Sequence, residues 1–178
     1  DNELPAGINE VELDRMFSEV NRGYSVPIPT AVGFCMYIRR DCLEQVGLFD
    51  EILFGRGYGE ENEFCMRSAE SGWQHLLCAD TFVYHAGGVS FADTQNEHQQ
   101  AGSKALVSLY PDYNALIQTY IQNDRIAPYR FAMDLHLRYL QDKPVVLMVN
   151  HSRGGGTERH LTELAEQLSD RLTLLMLH

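Results

Sequence analysis

Gly57-Tyr-Gly-Glu-Glu-Asn-Glu-Phe-Cys-Met-Arg67 is the stretch on which the reading of the fold turns. Glycines at 55, 57 and 59 put wide backbone freedom into a short span, which predicts a tightly turned or mobile loop between Asp50 and Gly59. The acidic run Glu60, Glu61, Asn62, Glu63 then opens a helix that continues to about Ser71 and is ended by Gly72. Carboxylates in a first turn suit the positive end of a helix dipole, at about 0.3 to 1 kcal/mol each. That is the plain reading of the cluster. The chemical reading is that one of them is a base facing a cleft.

Upstream, Val11, Leu13, Met16, Phe17 and Val20 recur at helical spacing and predict a short surface helix, stopped by Gly23, Pro27 and Pro29. The nearly continuous apolar run Ala31 to Ile38 reads as a buried strand. A helix from Asp41 to Val46, closed by Gly47, follows. Downstream, Trp73 to Cys78 and Thr81 to Tyr84 read as short strands leading into His85-Ala-Gly-Gly-Val-Ser90. Helical stretches over Asn96 to Tyr110, Pro111 to Gln122 and Pro128 to Leu140 come next, the last with Phe131, Leu135 and Tyr139 on one face.

After Lys143 and Pro144 the pattern changes to Val145-Val-Leu-Met-Val149, then Arg153-Gly-Gly-Gly156, then a helix carrying Leu161, Leu164, Ala165 and Leu168, then Leu172 to Leu177. This is a strand, glycine loop, helix, strand unit. It stops at its second strand, so the chain is expected to be a piece of a longer protein. The expected class is α/β, with residues 1–110 as one part, 111–142 as a helical connector and 143–178 as the start of a second domain.

A hydrophobic share of 44% with 22% charged residues is that of a globular chain able to bury a core. The formal net charge of -11, with no basic cluster longer than Arg39-Arg40, argues against nucleic acid as a partner. Cys35, Cys42, Cys65 and Cys78 lack the paired spacing of zinc sites and read as buried free thiols in a reducing, cytoplasmic compartment. No stretch reaches the roughly 18 apolar residues of a membrane span. A peripheral hold of the parent protein on the inner face of the cell membrane stays open.

From Val32 to Phe91 the chain resembles the C-terminal half of glycosyltransferase family 2, inverting enzymes of the GT-A fold. The motifs that carry the likeness come in order. They are Gly33-Phe-Cys-Met-Tyr-Ile-Arg-Arg40, Val46-Gly-Leu-Phe-Asp-Glu51, Gly57 to Arg67, Gly72-Trp73 and His85-Ala-Gly-Gly-Val-Ser90. The resemblance implies a bacterial enzyme of O-antigen or capsule synthesis, with a nucleotide-sugar donor and a glycan or lipid-linked glycan acceptor. Glu61 stands at the family's base position, where a carboxylate takes the acceptor proton. Glu60 beside it would hold the acceptor, and Glu63 would favour the helix start. Tyr58 and Gly59 belong to a glycine flap over the acceptor, Tyr58 either stacking on a sugar or packing in its loop. Trp73 is either core or a sugar platform, and Arg67 pairs with Glu63 at i,i+4 spacing.

His85 is open to two roles: contact with a metal ion or the donor diphosphate, or a hydrogen-bonded loop position. The family holds its nucleotide and a divalent metal, Mg or Mn, on an Asp-x-Asp motif that this chain does not carry; no cofactor is fixed by these residues alone. The isolated chain is therefore expected to be inactive.

Residues 145–168 are similar to the opening of a GT-B domain of the family 4 type, a Rossmann-like unit. There Gly154, Gly155 and Gly156 would admit a donor phosphate to a helix N-terminus, with His151 and Arg153 assisting. A triple glycine is also an ordinary turn, and the full G-x-G-x-x-G spacing is absent. Two rival readings stand beside the enzyme: a non-catalytic glycan-binding or assembly module, and a single nucleotide-binding protein centred on these glycines. An exposed sheet edge leaves room for a homodimer.

Overall fold

In the computed structural model of the chain, residues 4–54, 58–85, 95–139, 143–150 and 154–177 are described. They fall into two units, Asp1–Pro128 and Tyr129–His178. The architecture is α/β in each.

The first unit begins with a capping box. Asn9 Oδ1 accepts from the Glu12 and Val11 amides at 2.9 and 3.1 Å, while the Glu12 carboxylate accepts from the Asn9 amide at 3.1 Å. Helix α1, Glu10–Val20, follows from it. It buries Leu13, and Phe17 packs on Phe82 with ring centroids 5.6 Å apart. Strand β1, Ser25–Ile28, comes next, although Pro27 and Pro29 had argued for a plain chain stop. Proline is tolerated there because β1 has one partner strand among the described residues and spends no second row of donors.

Helix α2, Arg40–Val46, ends on Gly47 at φ 91°. The loop expected over Asp50 to Gly59 contains a short helix, α3, Glu51–Phe54. Asp50 starts it, its Oδ1 accepting from the Ile52 and Leu53 amides at 3.0 and 2.9 Å. Helix α4, Glu60–Glu70, and strand β2, His75–Cys78, follow. β2 pairs antiparallel with β1, Val26 opposite Leu77 and Ile28 opposite His75. Helices α5, Gln95–Leu109, and α6, Tyr113–Asn123, complete the unit. α4 packs between α2 and α5, and α5 also meets α3 and α6. The α6 stretch, read from sequence as connector, thus lies with the first unit.

Two strand expectations are corrected. Ala31 to Ile38 forms no strand: the chain turns at 33–35, and Val32, Phe34 and Tyr37 are exposed. A strand covered on both faces needs neighbours on both edges, and among the described residues no strand lies beside this run. Thr81 to Tyr84 is also irregular. The Phe82 amide is taken at 2.8 Å by Asp14 of α1 instead of by a strand. The thiols are all free, but only Cys42 and Cys65 are buried; Cys35 and Cys78 are exposed, Cys35 because it lies on the turn that replaced the strand.

One side chain holds α4 to the turn before it. Arg67 donates from Nε and Nη2 to both oxygens of Glu63, at 2.7 and 2.9 Å. It also donates from Nη1 to the Val46 carbonyl and from Nη2 to the Leu48 carbonyl, the latter at 2.9 Å. Its guanidinium lies 5.5 Å from the centre of the Phe64 ring, which meets Phe49 edge-on. Glu63 is only 5% exposed.

In the second unit, helix α7, Ala127–Tyr139, leads to strand β3, Val145–Val149, helix α8, Gly156–Leu168, and strand β4, Thr173–Leu177. β3 and β4 run parallel, Val145 opposite Thr173 and Val149 opposite Leu177. Parallel strands need a long crossover, and residues 150–172 provide it. Leu161, Leu164, Ala165 and Leu168 form the less exposed face of α8.

Two ion pairs at i,i+4 spacing among the described residues differ in kind. Arg159 and Glu163 on α8 are 82% and 51% exposed in their side chains and contribute little. Arg67 and Glu63 are 28% and 7% exposed. Arg67→Met would leave a buried carboxylate and two carbonyls without their donor. It is expected to destabilise the first unit by about 3–5 kcal/mol, measured by urea unfolding through the fluorescence of Trp73, the single tryptophan. A loss of about 0.5 kcal/mol or less would place the pair with the solvent-screened kind.

Candidate functional site

The site is built on the first turn of α4, where three carboxylates have three different fates. Glu63 turns inward to Arg67. Glu60 is half-buried, and its Oε2 is shut from solvent with no hydrogen-bond partner among the described residues. Burial pushes the Glu60 carboxyl above its ordinary value, and the charge of Glu61 beside it pushes in the same direction. Glu61 is half-buried and has no ion pair among the described residues; its Oε2 lies 3.4 Å from the Gly59 amide, a long contact.

Glu61 faces the segment that the sequence had placed in a buried strand. A side chain at Gly33 would sit 3.7 Å from the Glu61 Cβ and 3.9 Å from its Cγ. The next residue, Phe34, stacks on the His85 ring, with centroids 4.4 Å apart and planes 17° apart. Adjacent Cα atoms are about 3.8 Å apart. Two of the residues singled out from sequence therefore border one dipeptide, Gly33-Phe34, from different elements.

Behind Glu61, the same face of α4 carries Cys65, fully buried, whose Sγ accepts from the Ala31 amide at 3.4 Å. Burial raises the Cys65 thiol, keeping it protonated and unreactive. Sequence reasoning missed two further residues. Tyr113 at the start of α6 is half-buried near Thr30, and burial and, to a lesser degree, the Glu61 charge raise its phenol. Nothing in the spacing of the chain marks either one, since α6 comes fifty-two positions after Glu61 (113 minus 61) and returns to it only through packing on α5.

Where a glycine flap was expected, the described residues make a close backbone contact. Tyr58 takes the left-handed conformation at φ 74°, and a Cβ at Gly102 of α5 would lie 1.7 Å from its carbonyl oxygen. Gly59, buried at φ 120°, rests against the Phe54 ring and the Gly102 carbonyl. Tyr58 and Gly59 are thus packed against α5; Gly55 and Gly57 lie outside the described residues. Trp73 is half-buried with its ring under Arg39, 5.1 Å from the centroid, and its N–H donated to Gln45 at 3.1 Å. No polar or ring contact ties it to Glu61 among the described residues, so its geometry is that of packing on α2.

Residues 86–90 of the histidine loop lie outside the described residues. Among those described, no three His, Cys, Asp or Glu side chains converge as a divalent cation would need. His85 with Phe34 does not by itself fit Mg or Mn. In the second unit, Gly154 and Gly155 have φ 68° and 95°, and Gly155 precedes α8. Space around Gly155 and Gly156 is open, whereas a Cβ at Gly154 would lie 3.5 Å from Glu158 Oε2. A carboxylate of α8 itself therefore stands near the end where a donor phosphate was expected, and His151 and Arg153 lie outside the described residues.

Comparison of the chain with protein-family models, with curated proteins and with solved structures gave no match.

Two predictions follow from this geometry. Alanine favours a helix over glycine by about 1 kcal/mol, yet Gly102→Ala is expected to lose about 1–3 kcal/mol through overpacking against Tyr58, read by Trp73 fluorescence. Net stabilisation would remove the contact. For Glu60, the folded chain holds the proton more tightly than the unfolded chain. Its contribution is fully present below about pH 4.5 and is lost as pH rises through the elevated value. Glu60→Gln is expected to gain stability over the parent as pH is raised from 4.5 toward 7, in urea unfolding at stepped pH; a pH-independent difference would contradict it.

Proposed function

We propose that the first unit is the acceptor-side half of an inverting nucleotide-sugar glycosyltransferase domain, and that the second opens a GT-B-type, Rossmann-like domain of the same longer protein. The observation that carries the reading is the sorting of carboxylates on α4. Glu63 is consumed by Arg67, while Glu61, at the base position implied by the motif order, has no cation partner among the described residues and borders the same dipeptide as His85.

In this reading a hydroxyl of the acceptor sugar attacks the anomeric carbon of the donor. Glu61 takes the hydroxyl proton as the C–O bond forms, and the bond to the nucleoside diphosphate breaks with its electron pair leaving on the phosphate oxygen. Attack from the face opposite the leaving group inverts the anomeric centre. Glu60, biased toward its protonated form by burial, donates a hydrogen bond to another acceptor oxygen. The packing of Tyr58 and Gly59 on α5 fixes where α4 begins, and so where Glu61 stands.

The acceptor is a glycan or lipid-linked glycan of a bacterial surface polysaccharide, and the work is done on the cytoplasmic side. No described helix is long and apolar enough to cross a membrane. The donor half and its metal-binding carboxylates would come from the parent protein.

In that parent, Glu61→Gln is expected to lower glycosyl transfer by about 100-fold or more, with acceptor KM changed far less, measured with a panel of nucleotide-sugars and glycan acceptors. Undiminished transfer would take Glu61 out of the mechanism. Glycan binding without transfer in the wild type would favour a non-catalytic module.

A further inference from the structure

Phe34 belongs to the segment opposite the start of α4, and its ring is held in one orientation. It lies nearly flat on the imidazole of His85, with centroids 4.4 Å apart and planes 17° apart. Phe34 nonetheless remains 50% exposed, which leaves the face turned away from His85 to solvent. The residue before it, Gly33, is exposed as well, and a side chain there would point at Glu61, 3.7 Å from Cβ and 3.9 Å from Cγ. With adjacent Cα atoms about 3.8 Å apart, the Phe34 Cα lies within about 9 Å of the Glu61 Cβ. A flat apolar surface and a carboxylate thus stand within the span of a disaccharide. The charges that open α4 are carboxylates, and Arg67, the cation of that helix, is turned to Glu63.

We propose that Phe34, backed by His85, is the platform on which the acceptor rests, and that the acceptor sugar is a neutral pyranose laid on the ring by a C–H face. The inference rests on the transferase reading of Glu61 and adds the residue that orients the acceptor. A pyranose carries hydroxyls round its edge and C–H bonds on its faces. The faces suit the negative π face of a phenyl ring, and an edge hydroxyl suits a carboxylate acceptor such as Glu61. A nucleobase also stacks, but a nucleotide would bring its phosphate toward Glu60 and Glu61 while the cation of α4 is engaged elsewhere. A uronic acid meets the same repulsion. His85 acts here through its ring, as the support that keeps Phe34 from turning.

The test uses this 178-residue chain and saturation-transfer NMR, with EDTA present, against methyl hexosides, the matching methyl hexuronides and uridine monophosphate. Wild type should bind a methyl hexoside with the strongest transfer to the C–H protons of one face. It should bind the uronide at least about threefold more weakly, a gap that closes in Glu61→Gln. Phe34→Leu is expected to weaken hexoside binding about three- to tenfold, and His85→Ala to weaken it by a second route. Phe34→Tyr, which restores a ring, and His85→Phe, which restores the stack, should recover most of the loss. Trp73 fluorescence unfolding checks that each variant is folded, and the two histidine variants decide the case if Phe34→Leu is not. Equal hexoside binding by wild type, Phe34→Leu and His85→Ala overturns the platform, as does a loss in His85→Phe as large as that in His85→Ala. Uridine monophosphate bound in place of the hexoside, or no hexoside bound by wild type, overturns it too. In each of these cases, transfer by the parent that depends on Glu61 would still uphold the transferase reading.

Discussion

The first unit depends on the guanidinium of Arg67. It meets two carboxylate oxygens of Glu63 and two backbone carbonyls, so a single planar group joins the first turn of α4 to the turn that closes α2. The carboxylate is nearly inaccessible, which makes removal of either partner far more damaging than loss of an exposed pair. A cation already met by Glu63 and by two carbonyls is not free to neutralise another carboxylate, so Glu63 and Glu61, two positions apart in sequence, differ in their pairing.

Packing then fixes the position of Glu61 from three sides. The Tyr58 carbonyl lies where any Gly102 side chain would be, and Gly59 fits against the Phe54 ring, so α5 and α3 together determine where α4 starts. Residues 31–34 provide the wall opposite: Ala31 is tied to Cys65, Gly33 faces Glu61, and Phe34 stacks on His85. Because interiors are close-packed, such contacts leave little room for a shift of the helix start. If Glu61 is the base proposed above, it must be held within a few tenths of an ångström of its productive geometry, and these contacts would supply the support.

Much of this was legible from residues alone where local chemistry decides. Gly47, Gly59 and Gly72 mark helix boundaries because they take positive φ, and the acidic first turn of α4 and the β3–α8–β4 alternation follow directly from pattern. What failed was decided by neighbours. The apolar run Ala31 to Ile38 has the composition of a covered strand, but composition cannot say whether strands exist to cover it. β1 was hidden by its prolines, which a single partner strand tolerates. α3 was concealed in a glycine-rich loop, though Asp50 before Glu-Ile-Leu-Phe was a usable start signal. Tyr113 and Thr30 carry no local mark, because only tertiary packing returns α6 to Glu61. For Trp73 the residues alone allow core or a sugar platform; Arg39 lies on its face and Gln45 accepts from its N–H.

In the proposed reading Glu61 opens to the acceptor, whereas Glu63 is sealed behind Arg67. Carbodiimide coupling of the native chain with glycine ethyl ester, followed by peptide mass spectrometry, reads this directly. Glu61 should be modified readily while Glu63 stays protected until urea unfolds the first unit. Protection of Glu61, or equal labelling of the two in the native state, would contradict the assignment of the base and the site built around it.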